Sequence, residues 1–102
     1  MRKAIPYGRQ SITQEDIEAV VETLAGDFLT QGPKVNEFEN EFAKYTDTKY
    51  AVAVNNATSG LHLSALALDL KKGERVITTP ITFASTANCI RSCGAEVWFA
   101  DI

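Results

Sequence analysis

From residue 50 onward the chain alternates short, wholly apolar runs with segments of helical grammar, and this alternation limits the fold more than any other feature. Tyr50 to Val54 (YAVAV) is an apolar β run, and Leu61 to Leu70 is rich in Ala and Leu. Arg75 to Thr79 is a second β run closed by Pro80, Thr82 to Cys93 reads as a helix ended by Gly94, and Glu96 to Asp101 is a third β run. Strands that are apolar throughout, rather than on alternate positions, belong in a parallel sheet covered on both faces. The β-α-β-α-β order then demands right-handed crossovers. The expected class is α/β. The Leu61–Leu70 segment is apolar almost all round and is expected to be buried on more than one side.

Two amphipathic helices are expected ahead of this unit, after an extended arm holding Pro6, Tyr7 and Gly8. Thr13-Gln14-Glu15-Asp16 reads as a helix start, with a hydroxyl for the N-cap and acids suited to the dipole. Ile17, Val20, Val21 and Leu24 follow as one stripe, and Gly26 ends it. The loop from Asp27 to Pro33 leads to a helix carried by Val35, Phe38, Phe42 and Tyr45. Its Glu37, Glu39 and Glu41 read as a solvated flank. Three strands alone would leave sheet faces and edges bare, so the segment is expected to be the first part of a larger fold or one layer of an oligomer.

Hydrophobic residues make up 45% and charged residues 23%, a globular balance that argues against disorder. A net charge of −3 with no long basic run argues against a nucleic-acid partner. No stretch has the apolar length of a membrane span, and Met1 to Pro6 does not open as a signal peptide, so a cytoplasmic protein is expected. Cys89 and Cys93 stand four apart, which is not the spacing of a redox or zinc motif, and they read as reduced, buried thiols. No metal-ligand spacing occurs, and the single histidine, His62, has no catalytic partner near it in sequence.

Two stretches could carry chemistry. Asn55-Asn56-Ala57-Thr58-Ser59-Gly60 follows a β run and opens a helix, where free N–H groups and the dipole favour an anion. Thr58 and Ser59 add hydroxyls; equally, one of them could simply cap its own helix. Thr78 to Thr86 follows the second β run, so both stretches belong to the carboxyl edge of the sheet. Phe83 there could stack on a flat ring or belong to the core of the next helix.

These same residues carry a resemblance. Asn55 to Leu61 and Val76-Ile77-Thr78-Thr79-Pro80-Ile81-Thr82-Phe83 to Asn88 resemble the DegT-type sugar-nucleotide aminotransferases, within the fold-type I enzymes that use pyridoxal 5'-phosphate (PLP). Leu29-Thr30-Gln31-Gly32 and Gly94-Ala95-Glu96-Val97 into Asp101 fit the same family, in the same order. The likeness runs from about Ile5 to Asp101. It implies the N-terminal part of the large PLP-dependent transferase domain, with residues 1–49 as arm and leading helices and 50–102 as the cofactor-phosphate segment. It implies Thr58 and Ser59 at the cofactor phosphate and Phe83 on the pyridine ring. Tyr7, Asp27, Phe28, Leu29, Thr30 and Ala57 would face the nucleotide sugar.

The activity so implied is transfer of an amino group from glutamate to a 4-keto nucleotide sugar, for a cell-surface sugar such as pseudaminic acid, by a homodimer. None of Lys3, Lys34, Lys44, Lys49, Lys71 or Lys72 matches the family's Schiff-base lysine. The 102-residue chain is therefore expected to be an incomplete N-terminal piece without turnover of its own. Read without the resemblance, the residues equally allow a small phosphate- or nucleotide-binding module, or an assembly domain.

Overall fold

The computed structural model describes residues 5–102. The chain divides into two compact units, Met1–Ala53 and Val54–Ile102. The first holds α1 (Gln14–Ala25) and α2 (Pro33–Tyr45); the second holds α3 (Ala57–Ala67), β1 (Arg75–Thr78), α4 (Ser85–Ser92) and β2 (Glu96–Phe99). Among the described residues no helix is long and apolar enough to cross a membrane.

Helix α1 starts where its cap predicts. The Asp16 amide donates to Thr13 Oγ1 at 3.3 Å and the Thr13 amide donates to Asp16 Oδ2 at 2.8 Å, a complete capping box. The helix stops as the Gly26 amide turns back to the Thr23 carbonyl. Helix α2 begins with Pro33, whose missing N–H costs nothing in the first turn. Phe38 and Phe42 sit one turn apart with ring centroids 5.7 Å from each other. The α1 stripe, Ile17, Val20, Val21 and Leu24, is exposed along its length, and Ala43 is the buried residue of α2.

Tyr50 to Val54 departs from the expected strand. Among the described residues it has no ladder partner, and the Ala53 amide instead donates to Glu39 Oε1 at 2.7 Å. A backbone donor bound to a carboxylate has no need of a neighbouring strand. Glu39 is thereby half-buried rather than part of a solvated flank, whereas Glu37 and Glu41 pair with Lys34 and Lys44 on the surface.

In the second unit β1 and β2 pair in parallel, with Arg75 opposite Glu96 and Thr78 opposite Phe99. Helix α4 is the crossover between them and packs on both strands and on α3. Cys89, Ile90 and Ala95 form the buried core, with Leu70, Val76 and Val97 against it. Both thiols are free, Cys89 buried and Cys93 half-buried. At the sheet surface Arg75 Nε lies 3.3 Å from Glu96 Oε2, and its guanidinium carbon stands 4.5 Å from the centre of the Trp98 ring.

Several boundaries differ from the expected ones, among them Pro33, which opens α2 instead of closing the loop, and Thr78, where β1 ends one residue early. Helix α3 occupies Ala57–Ala67 instead of 61–70, because Asn56 starts it early and Asp69, at φ 57°, breaks it. Helix α4 starts at Ser85 rather than Thr82, since residues 79–84 are spent turning out of β1. Strand β2 ends at Phe99, where its partner β1 also runs out. Nor is α3 buried on several sides: Ala65 is buried, while Leu61, Leu63 and Leu66 are exposed. Its apolar girdle meets α4 on one side, and no other described element of the unit covers the remainder.

Candidate functional site

The first turn of α3 has the properties of an anion site. Asn56 is extended (φ −167°, ψ 165°), and its side chain accepts from the Ser59 amide at 2.9 Å. The Gly60 amide closes the first helical bond, to the Asn56 carbonyl, at 3.2 Å. Among the described residues, the Ala57 and Thr58 amides find no acceptor, as the geometry of a helix start requires. The cap belongs to Asn56 and not to Thr58 or Ser59, so both hydroxyls are left over from capping. No acidic residue stands in this first turn, in contrast to α1, which places Glu15 and Asp16 there. Two free amides, two hydroxyls and the positive end of the dipole suit a phosphate.

The second stretch lies between β1 and α4. Because α4 links two parallel strands, its N-terminus lies at the carboxyl edge of β1, where open parallel sheets gather ligands. Thr79 Oγ1 accepts from the Ile81 amide at 3.2 Å, and the Thr82 and Thr86 hydroxyls are 3.1 Å apart. Phe83 is 77% exposed, so its ring stands on the surface rather than in the core of α4. His62 lies half-buried on α3.

Thr58, Ser59, Ala57 and Phe83 thus belong to the second unit, whereas Tyr7 and the loop Asp27–Thr30 belong to the first. Tyr7, Phe28 and Leu29 are exposed. Directly after them Gln31 takes a left-handed conformation (φ 51°) and Gly32 becomes the N-cap of α2. Sequence reasoning missed two residues here. Asn56 as the cap was open to discovery, since Asn is a preferred cap and stands three residues before the amide it binds. Glu39 carries no such signal, because its partner is a backbone amide 14 residues away.

The second unit thus offers an open helix start at α3 and, separately, an exposed aromatic ring in the turn at the carboxyl end of β1. The DegT/DnrJ/EryC1/StrS aminotransferase family matches residues 10–102, and the chain belongs to this family. It is 48% identical over 98 residues to the spore coat polysaccharide biosynthesis protein SpsC of Bacillus subtilis, covering 96% of this chain and 25% of that protein. It is 47% identical over 98 residues to a UDP-4-amino-4,6-dideoxy-N-acetyl-beta-L-altrosamine transaminase of Campylobacter jejuni, covering 96% of this chain and 26% of that one. Among solved structures, the PLP form of the sugar aminotransferase Spr1654 of Streptococcus pneumoniae superposes with a TM-score of 0.86 at 35% identity, over 96% of this chain and 25% of that one. The chain spans about a quarter of the length of the curated relatives it matches.

Proposed function

We propose that this chain provides the cofactor-phosphate and sugar-facing part of a PLP-dependent aminotransferase that moves an amino group from glutamate to a 4-keto nucleotide sugar. The observation that carries the reading is the α3 start, where Asn56 takes the capping duty and leaves Thr58 and Ser59 for a ligand. Thr58 and Ser59 would each donate a hydroxyl to the phosphate, beside the free amides of Ala57 and Thr58. Phe83, already turned outward, would lie against the flat face of the pyridine ring. When bound, PLP supplies the electron sink for amino transfer, and the protein supplies position and charge.

The remaining assignments belong to the same proposal. Residues 50–102 form the cofactor-phosphate segment of the transferase domain, and 1–49 its arm and leading helices. Tyr7, Asp27, Phe28, Leu29, Thr30 and Ala57 face the nucleotide sugar. The working form is a cytoplasmic homodimer, and the product feeds a cell-surface sugar of the pseudaminic acid type. Likeness to the altrosamine transaminase supports the sugar class. The proton-handling lysine of such a reaction is none of this chain's six, so these 102 residues alone would not turn over.

The test is Thr58→Ala with Ser59→Ala in the full-length protein. Hydrogen bonds to a charged group are worth about 1.5–3 kcal/mol each, so PLP affinity should fall by about a hundredfold or more. Far-UV circular dichroism should be unchanged, because Asn56 still caps α3. Full retention of PLP by the double variant would defeat the assignment.

A further inference from the structure

The loop before α2 holds two backbone features that its helix does not explain. Gly32 is the N-cap of α2, yet its own conformation (φ −77°, ψ 179°) is open to any residue, and no side-chain cap bond is made. Ser, Asp or Asn there would cap the helix somewhat better than Gly. What excludes them is space. A Cβ at Gly32 would stand 2.9 Å from the Phe28 carbonyl oxygen and 3.0 Å from Phe28 Cβ. The nearest obstacle is backbone, so no side-chain rotation relieves it. One residue earlier Gln31 adopts φ 51°, a region that side chains other than Gly, Asn and Asp rarely enter. The same turn holds Phe28 and Leu29 out, 67% and 63% exposed.

We propose that Gln31 and Gly32 are the positioning residues of the sugar-facing loop: the missing Cβ at 32 and the left-handed turn at 31 fix where Phe28 and Leu29 are presented to a nucleotide sugar. This rests on the reading above that Asp27 to Thr30 faces that substrate. A capping bond is forgone so that the Phe28 backbone can approach the helix start. Phe28 offers a flat apolar face for a base or a sugar ring, and Asp27 and Thr30 flank it with an acceptor and a hydroxyl. Disturbing either position moves Phe28 without touching the cofactor-phosphate residues.

The experiment uses the full-length protein loaded with PLP and UDP-N-acetylglucosamine as the probe, with binding followed by calorimetry. Gly32→Ala and Gln31→Val should each weaken the probe at least tenfold, whereas Gln31→Gly, which takes φ 51° freely, should stay within threefold of the parent. Bound PLP and its absorbance change on adding glutamate should be the same in all four proteins, a pattern that general damage to the fold would not produce. If the parent binds the probe and both disruptive variants bind it equally well, the positioning role is overturned and the nucleotide-sugar reading stands. If the parent itself ignores the probe, the nucleotide-sugar reading falls and takes this inference with it. Should Gly32→Ala fail to fold, Gln31→Val decides: unchanged affinity overturns the proposal, and a tenfold loss upholds it.

Discussion

Asn56→Asp separates helix capping from phosphate binding, because the two respond with opposite sign. Asp caps as well as Asn, so the bond to the Ser59 amide, 2.9 Å in length, should survive. The new charge stands at the positive end of α3, whose first turn holds no acid, and should add about 0.3–1 kcal/mol of helix stability at low salt. A phosphate at the same helix start meets that charge as a repulsion. Unit charges in water oppose each other by about 1 kcal/mol at 4 Å, and a phosphate near neutrality carries close to two, so PLP should bind roughly tenfold more weakly or worse. The assay pairs thermal unfolding of the PLP-free protein with equilibrium dialysis of PLP, both at low ionic strength. Asn56→Ala serves as the reference: it should lose about 1 kcal/mol through the cap alone. The argument is refuted if Asn56→Asp is stabilised and PLP affinity is unchanged, for then the phosphate is not held at this helix start.

Two further outcomes follow from packing and charge. Ile90→Ala removes the most deeply buried side chain of the second unit's small core, 4% exposed, and should cost about 2–5 kcal/mol in urea unfolding, with the residues proposed for PLP untouched. Glu15 has its pKa lowered by a backbone hydrogen bond in the first turn of α1 and by the Thr13 hydroxyl. A carboxylate with a depressed folded pKa contributes stability that is present above its ordinary value of 4.5 and lost as pH falls through the folded value. Glu15→Gln should therefore flatten the acid limb of the stability profile below about pH 5 and leave the curve above it parallel to the parent's.

How far the sequence could be read depended on whether the deciding interaction was local. Helix α1 was legible from end to end, since Thr13, Asp16 and Gly26 lie within one turn of what they cap. Helix α2 was legible from its stripe of Val35, Phe38, Phe42 and Tyr45, although Pro33, read into the loop, is its first residue. The β1–α4–β2 crossover was legible from its apolar runs, although Thr82 to Ala84 went to the turn and not to the helix. Tyr50 to Val54 misled because strand character needs a partner, and its Ala53 amide is claimed by a carboxylate in α2. At the candidate site, the anion-friendly helix start could be read from Asn55 to Gly60, but not which side chain caps it. The crowding of Gly32 by Phe28 had no sequence signal, because only the folded loop brings those atoms together.

Arg75 has a consequence for how the second unit finds its fold. Its partners Glu96 and Trp98 lie two residues apart on one face of β2, and both bonds are solvent-facing. Exposed contacts of this kind contribute about 1 kcal/mol or less each, too little to decide whether the sheet forms. They do favour one alignment, the one in which Val76 and Val97 also reach the core. Slipping β2 by one residue turns Glu96 and Trp98 to the opposite face, so both contacts vanish together with the packing of Val97 on the core. Parallel pairing must be found across the 21 residues that separate Arg75 from Glu96. A single surface arginine thereby serves as a second alignment mark, reading from the solvent face the same register that Val97 reads from the core.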